Sequence, residues 1–247
     1  MKFSSSKLTK LTTVALAVSL LAACGDDEVI EVERIVEVIV EVPAEIPAPV
    51  PFSYTVTVTN LTHAQPFSPV AVVLHENGYL WQVGEVASVD IELMAEGGDN
   101  SRLIALPQAL TSMSGAMPIG PGGNDTFSLT VNDIADAKLS ITSMLVNTND
   151  AFTGLNAWDL GQLEAGESWT TQVGVYDSGT ESNSEAAGSI PGPVDGGEGF
   201  NAMRNDVGFV ARHSGVVTSD DGLPNSVLTG LHKFDSPAMR ITVVRTE

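Results

Sequence analysis

Asp150, Asp177 and Glu181 are the residues of this chain whose types and spacing point to chemistry. Asp150 closes the turn Asn147-Thr148-Asn149-Asp150, and the other two belong to Asp177-Ser178-Gly179-Thr180-Glu181. Between the two acidic turns, Trp169 to Tyr176 reads as a strand. Carboxylates at strand ends can converge although distant in sequence, and an oxygen-only cluster suits a hard cation such as calcium. At about 4.5 Å and an effective dielectric near 20, two carboxylates repel by roughly 4 kcal/mol. Three in one site must therefore protonate, spread apart or hold a cation. The plain alternative is that all three are turn residues, since Asp is common in Gly-containing turns.

Other side chains with chemical potential are less organised. His63, His75, His213 and His232 show no H-x-x-x-H or H-E-x-x-H spacing, so zinc is not indicated and each is expected to be a structural histidine. No G-x-S-x-G elbow supports a Ser-His-Asp hydrolase. Asp220-Asp221-Gly222 lacks the alternating acids and closing Glu of an EF-hand and reads as a turn. A glycan-acting enzyme using paired carboxylates is the catalytic alternative, with Glu164, Glu167, Glu181 and Glu185 as candidates. No spacing among them singles out an acid and a base.

The elements that must position the acids are strands. Tyr54, Val56 and Val58 alternate with Thr55, Thr57 and Thr59, the period of a half-buried strand beginning near Ser53. Pro69–His75 is a second strand with a turn at Asn77-Gly78, and Thr126–Val131 is a third. Leu139, Ile141, Ser143 and Leu145 alternate with Lys138, Ser140, Thr142 and Met144, and Met239, Ile241 and Val243 repeat the pattern near the end. Ala87, Ile91 and Met94–Ala95 make one face of a short helix stopped by Gly97-Gly98. Gly188 to Asn205 is too rich in Gly and Pro for regular structure and reads as a long surface loop. About seven short strands with turn-rich connections imply an all-β, antiparallel β-sandwich. It would be one domain, 53–247, following a stalk.

The N-terminal residues bear on location. Lys2, Lys7 and Lys10 precede an apolar run from Leu11 to Ala23, too short to span a bilayer but suited to a signal-peptide core. Leu21-Ala22-Ala23-Cys24 resembles the bacterial lipobox, which implies cleavage after residue 23 and lipid attachment at Cys24. Gly25 then favours outer-membrane sorting where the host has one. Residues 24–52 form an acidic stalk, with prolines at 43, 47, 49 and 51 favouring an extended spacer. Val29, Val32, Val36 and Ile39 keep a brief coiled-coil spacing, and a strand suits Glu31-Val32-Glu33 equally. Losing residues 1–23 takes three lysines from 11 basic and 31 acidic residues, leaving a net charge of −23. That surface repels nucleic acid and anionic lipid and attracts cations. The lipid would be the sole membrane anchor.

Ser143-Met144-Leu145-Val146 through Asn149-Asp150-Ala151-Phe152-Thr153-Gly154, followed by Tyr176-Asp177-Ser178-Gly179-Thr180-Glu181, resembles the spondin N-terminal domain of F-spondin, mindin and many bacterial surface proteins. Phe67-Ser68-Pro69, Trp81 with Gly84, Ala87-Ser88, and Ala95-Glu96 with Asp99 are similar to family positions upstream, as is Glu185 with Pro191-Gly192-Pro193 to the bacterial branch. The likeness spans about 53–247. It implies a C2-like sandwich with calcium held by Asp150, Asp177 and Glu181, completed by carbonyls and water. Glu181 stands where the family usually has Asp, Ala151 replaces a bulky aromatic, and the animal domain's cysteines are absent.

These readings together lead to an expected function. The chain is a cell-envelope lipoprotein, not an enzyme, whose calcium-bearing domain binds extracellular matrix, a glycan or a neighbouring cell-surface protein. A purely structural envelope component is a third possibility.

Overall fold

The computed structural model describes residues 13–14, 38–39, 51–132 and 137–246. Met1–Ala48 and Pro49–Glu247 are separate units. In the first, strands β1 (Thr13–Val14) and β2 (Val38–Ile39) pair antiparallel. Cys24, the rest of the expected leader and most of the expected stalk lie outside the described residues. The second unit contains, in order, β3 (Pro51–Asn60), β4 (Ala71–His75), α1 (Val89–Gly97), α2 (Ser101–Ile104), β5 (Ala109–Ser114), β6 (Asn124–Asn132), β7 (Lys138–Met144), β8 (Ala151–Asp159), β9 (Ser168–Val173), β10 (Val175–Asp177), β11 (Ala211–Arg212) and β12 (Met239–Arg245).

Two antiparallel sheets form, in the orders β6-β3-β12-β9 and β11-β10-β8-β7-β4-β5. The expected all-β sandwich is what the sequence builds. Strand β3 shows why. Pro51 can open a strand but could not sit inside one, because it lacks an N–H for the ladder. From there Tyr54, Val56 and Val58 point inward and are buried. They meet Phe127, Leu129 and Val131 of β6, Ile241 and Val243 of β12, and Val72, Leu74, Leu139 and Ile141 from the facing sheet. The opposite face of the four-stranded sheet carries hydroxyls. Thr57 and Thr126 lie 3.1 Å apart across strands, and Thr170 and Thr242 lie 3.0 Å apart, oxygen to oxygen. Cross-strand threonine pairs of this kind stabilise a solvated face modestly.

The six-stranded sheet is covered on both sides, so β4 is buried at every position. Its second face packs under α1, where Ala71, Met144 and Phe152 meet Ile91, Met94 and Ala95. Helix α1 is bounded as its sequence dictates. Ser88 caps it by accepting from the Ile91 N–H at 3.3 Å, Asp90 and Glu92 sit in the favourable first turn, and Gly98 ends it at φ 69°.

One strand assignment needs correction. Trp169–Tyr176 is not one strand: β9 pairs with β12 in the smaller sheet, whereas β10 pairs with β8 and β11 in the larger. The chain changes sheets at Gly174, where a Cβ would lie 2.7 Å from Ser236 Oγ and 3.1 Å from an Arg212 guanidinium nitrogen. A larger residue there would have to displace the Ser236 and Arg212 side chains. The long loop from Gly188 onward has no helix or strand before β11, as expected, yet it is not simply superficial. Ile190 within it is fully buried against Val216 and Leu228.

Candidate metal centre

The sheet change at Gly174 carries Asp177 to Asp150. Strand β10 lies antiparallel to β8 with Asp177 opposite Ala151, so the residue before Ala151 stands at Asp177's side. A third acid arrives from the loop ahead of β11. The Asn205 N–H donates to the Thr180 carbonyl at 3.0 Å and the Gly208 N–H to the Gly179 carbonyl at 2.9 Å. These two bonds lay residues 205–208 along the Gly179–Thr180 turn. Asp150, Asp177 and Asp206 then each present one carboxylate oxygen, all within 4.8 Å of one another. The arrangement can hold a metal ion.

The three carboxylates differ in surroundings. Asp150 has no solvent exposure. Its Oδ2 accepts from Ser178 Oγ at 2.7 Å and from the N–H groups of Thr180 and Glu181 at 2.9 and 3.2 Å, while its Oδ1 is buried without a partner. Asp177 accepts from the Gly179 N–H at 2.7 Å through Oδ1 and from Asn183 Nδ2 at 2.7 Å through Oδ2. Asp206 is the more open of the three.

Burial, and then the charge of Asp177, push the Asp150 carboxyl up to about 6 despite the donors from Ser178, Thr180 and Glu181. Asp206 is also raised, first by burial and then by Asp177. At 4.8 Å and an effective dielectric near 20, one pair of such charges repels by about 3 kcal/mol. An oxygen that is buried, ionisable and unpartnered costs more still. A cation resolves all of this at once, and the all-oxygen donor set suits a hard one.

Sequence reasoning located two members of this triple and missed the third. Asp206 gave no signal of its own, because only the tertiary bonds of residues 205 and 208 bring it in. Glu181 is placed differently from the other two candidates. It lies outside the converging triple, with Oε1 accepting from Asn149 Nδ2 at 2.9 Å and Oε2 buried without a partner. Its carboxyl is pushed up to about 7, chiefly by burial, with Glu96, Asp150 and Glu198 adding repulsion against the Asn149 bond.

The remaining candidates occupy other places. Glu164 and Glu167 form the turn before β9, where the Glu164 N–H donates to Glu167 Oε2 at 2.9 Å. Glu185 is buried in the long loop, with Oε1 accepting from the Val217 N–H at 3.1 Å. His75 is the structural histidine expected, tied to the Asn77 carbonyl at 2.9 Å and Ser140 Oγ at 2.8 Å. Asp220-Asp221-Gly222 is the expected turn, one 3-10 turn closed by Gly222 at φ 95°.

Residues 200–210 form a strap around the centre. Arg204 grips α1, donating to the two Glu92 carboxylate oxygens at 2.9 and 2.6 Å and to the Ala87 carbonyl at 2.9 Å. Val210 exchanges backbone bonds with the loop before α1, donating to the Glu85 carbonyl and accepting from the Gly84 N–H, both at 2.8 Å. Met203, Val207, Phe209, Val83 and Val86 stand exposed on these two segments. No protein-family model matches the chain, and no curated protein matches it.

Proposed function

We propose that the chain is a cell-envelope lipoprotein whose sandwich carries a calcium-dependent binding surface. The observation that carries the proposal is the unpartnered Oδ1 of fully buried Asp150, beside Asp177 and Asp206. Calcium is the cation favoured. Its larger, flexible oxygen shell tolerates a site assembled from two turns and a strap, whereas magnesium demands near-octahedral geometry. The resemblance of the paired turns to the spondin N-terminal domain supports the same ion. Met203, Val207 and Phe209, exposed on the segment that carries Asp206, offer a partner apolar surface beside the site. The partner would be a matrix component, a glycan or a neighbouring surface protein.

Asp206→Asn tests the ion. Sites in extracellular modules bind calcium at about 10⁻⁴–10⁻³ M, and ten times the dissociation constant stabilises the fold by about 1.4 kcal/mol. Wild type is expected to gain that amount in calcium, read by thermal or denaturant unfolding, and Asp206→Asn to lose most of the gain. In chelator the variant should be as stable as wild type or more so, because one of three like charges is gone. An undiminished calcium response in Asp206→Asn would overturn the site. The anchor has its own test. Cys24→Ser should move the protein from the membrane to the soluble fraction or block its maturation, and a wild-type chain found soluble without detergent would remove the lipoprotein reading.

A further inference from the structure

His213 stands at the start of a chain of hydrogen bonds that ends on a carboxylate of the metal centre. Its backbone N–H donates to the Val175 carbonyl at 3.1 Å, which seats it just after β11 and beside the start of β10. The half-buried ring lies 5.2 Å from that of Phe234, centroid to centroid. Its Nδ1 accepts from the Gly215 N–H at 2.9 Å. A neutral imidazole that accepts at Nδ1 carries its proton on Nε2, so one tautomer is selected.

That Nε2 lies 3.2 Å from Asn183 Oδ1, and Asn183 Nδ2 donates to Asp177 Oδ2 at 2.7 Å. The direction of the chain is set at both ends. An ionised carboxylate only accepts, so Asn183 must turn its nitrogen to Asp177 and its oxygen to the ring. The ring meets that oxygen with an N–H. Each link therefore orients the next, from the Gly215 N–H to the Asp177 carboxylate. Strand β10 supports both ends, since Val175 holds the His213 backbone and Asp177 closes the strand.

We propose that Asn183 and His213 are positioning residues of the metal centre: Asn183 orients Asp177, and His213 orients Asn183. Neither needs to touch the ion. The Oδ1 of Asp177 is held from within its own turn, by the Gly179 N–H at 2.7 Å, and Asn183 supplies the second point that stops the carboxylate rotating about its Cβ–Cγ bond. Asn183 is itself exposed, so without the ring its amide is free to turn and exchange Asp177 for water. Hydrogen-bonded partners of this kind orient the ligands of a bound cation, and losing one lowers affinity by about 10- to 100-fold. The inference rests on the calcium reading and adds to it the residues that set the strength of the site.

The experiment titrates the full chain with calcium alone by calorimetry and follows unfolding of the same variants in chelator. Asn183→Ala is expected to weaken calcium binding by about 10- to 100-fold while its stability in chelator stays near that of wild type. His213→Ala should weaken binding comparably. His213→Gln, whose amide N–H can take the place of Nε2–H, should restore most of the affinity. The double variant Asn183→Ala/His213→Ala should bind no more weakly than Asn183→Ala, because the ring acts only through the amide. Wild-type affinity in Asn183→Ala, with binding still lost in Asp206→Asn, overturns the relay and leaves the metal centre standing. Equal losses in His213→Gln and His213→Ala, or additive losses in the double variant, also overturn it. A wild-type chain that takes up no calcium removes the metal centre itself, and the relay with it.

Discussion

In chelator, the protein is expected to be most stable near pH 4 and to weaken as the pH rises toward 8. Asp150 sets the sign. Its carboxyl is raised in the folded chain from 3.8 to about 6, so the folded state holds a proton that the unfolded state releases. The stabilisation is fully present below about 4 and is lost as the pH passes through about 6. A displacement of about two pH units corresponds to about 3 kcal/mol. Glu181 acts in the same direction through about 7, with a contribution reduced by its partial exposure to water. Asp99 and Asp221, held below their ordinary values by bonds from Ser101 and from Lys233 and Thr218, oppose the trend only at the acid end, whereas His213, lowered by burial, opposes it more weakly as the pH falls below its ordinary 6.5. Calcium should flatten the profile, because it binds the ionised carboxylates and restores at pH 8 what deprotonation removed. Urea unfolding at pH 4 and pH 8, with and without calcium, measures all four corners. Equal stability at the two pH values in chelator would mean that the carboxylates relax apart, and the need for an ion would vanish with the strain.

Gly179→Ala should be the most damaging conservative change at the centre. Gly179 has φ 71°, and a Cβ there would stand 2.2 Å from the Phe209 carbonyl oxygen and 2.8 Å from that residue's backbone carbon and nitrogen. No side-chain rotation relieves a collision with backbone. The strap has to lift, breaking the bond from the Gly208 N–H to the Gly179 carbonyl and withdrawing Asp206. A cost of about 3 kcal/mol is expected from the strained φ and the lost contacts together, along with loss of the calcium response. Gly222→Ala provides the control. Its φ is 95° but nothing lies within 4 Å of the added carbon, so it should cost about 1 kcal/mol and leave calcium binding intact. If Gly179→Ala behaves like Gly222→Ala, the strap does not depend on that close approach.

What the sequence discloses, and what it conceals, follows from how many faces of an element meet water. Strand β3 was legible because one face is solvated, so Tyr54, Val56 and Val58 stand out against threonines. Strand β8 was not read as a strand. Ala151 to Gly154 are all buried, one face toward the sandwich core and one toward the helix, and alternation disappears. The passage from β9 to β10 misled for the opposite reason. Trp169, Thr171, Val173 and Val175 keep their period straight through Gly174, and a change of sheet leaves no hydrophobic signature. Helix α1 was readable from its Ile91–Met94–Ala95 face and its terminal glycines, although its cap at Ser88 was not.

The candidate site divides in the same way. Asp150 and Asp177 sit at the ends of paired strands, and such positions can be found from turn chemistry. Asp206 is delivered by a segment without regular structure, whose course is fixed by bonds from residues 205 and 208 to Thr180 and Gly179. Nothing local encodes that. Glu181 shares a turn with Asp177, but its Oε1 is bonded to Asn149 and its carboxylate lies outside the triple, so closeness in sequence is a poor guide to closeness of oxygens.

The strap has a consequence for how the domain resists proteolysis. Residues 178–210 contain no helix or strand, and the chain's one cysteine, Cys24, leaves no covalent bridge to close such an excursion. An ion shared by Asp177 near its start and Asp206 near its end would act as a clasp. Peeling the segment from the sheet would first require releasing that ion, so the rate of local opening would follow the calcium of the surroundings. Where calcium is plentiful, proteases would meet a closed loop. Where it is scarce, the same loop would become the place at which the molecule is cut, and the ion would then set how long the protein lasts.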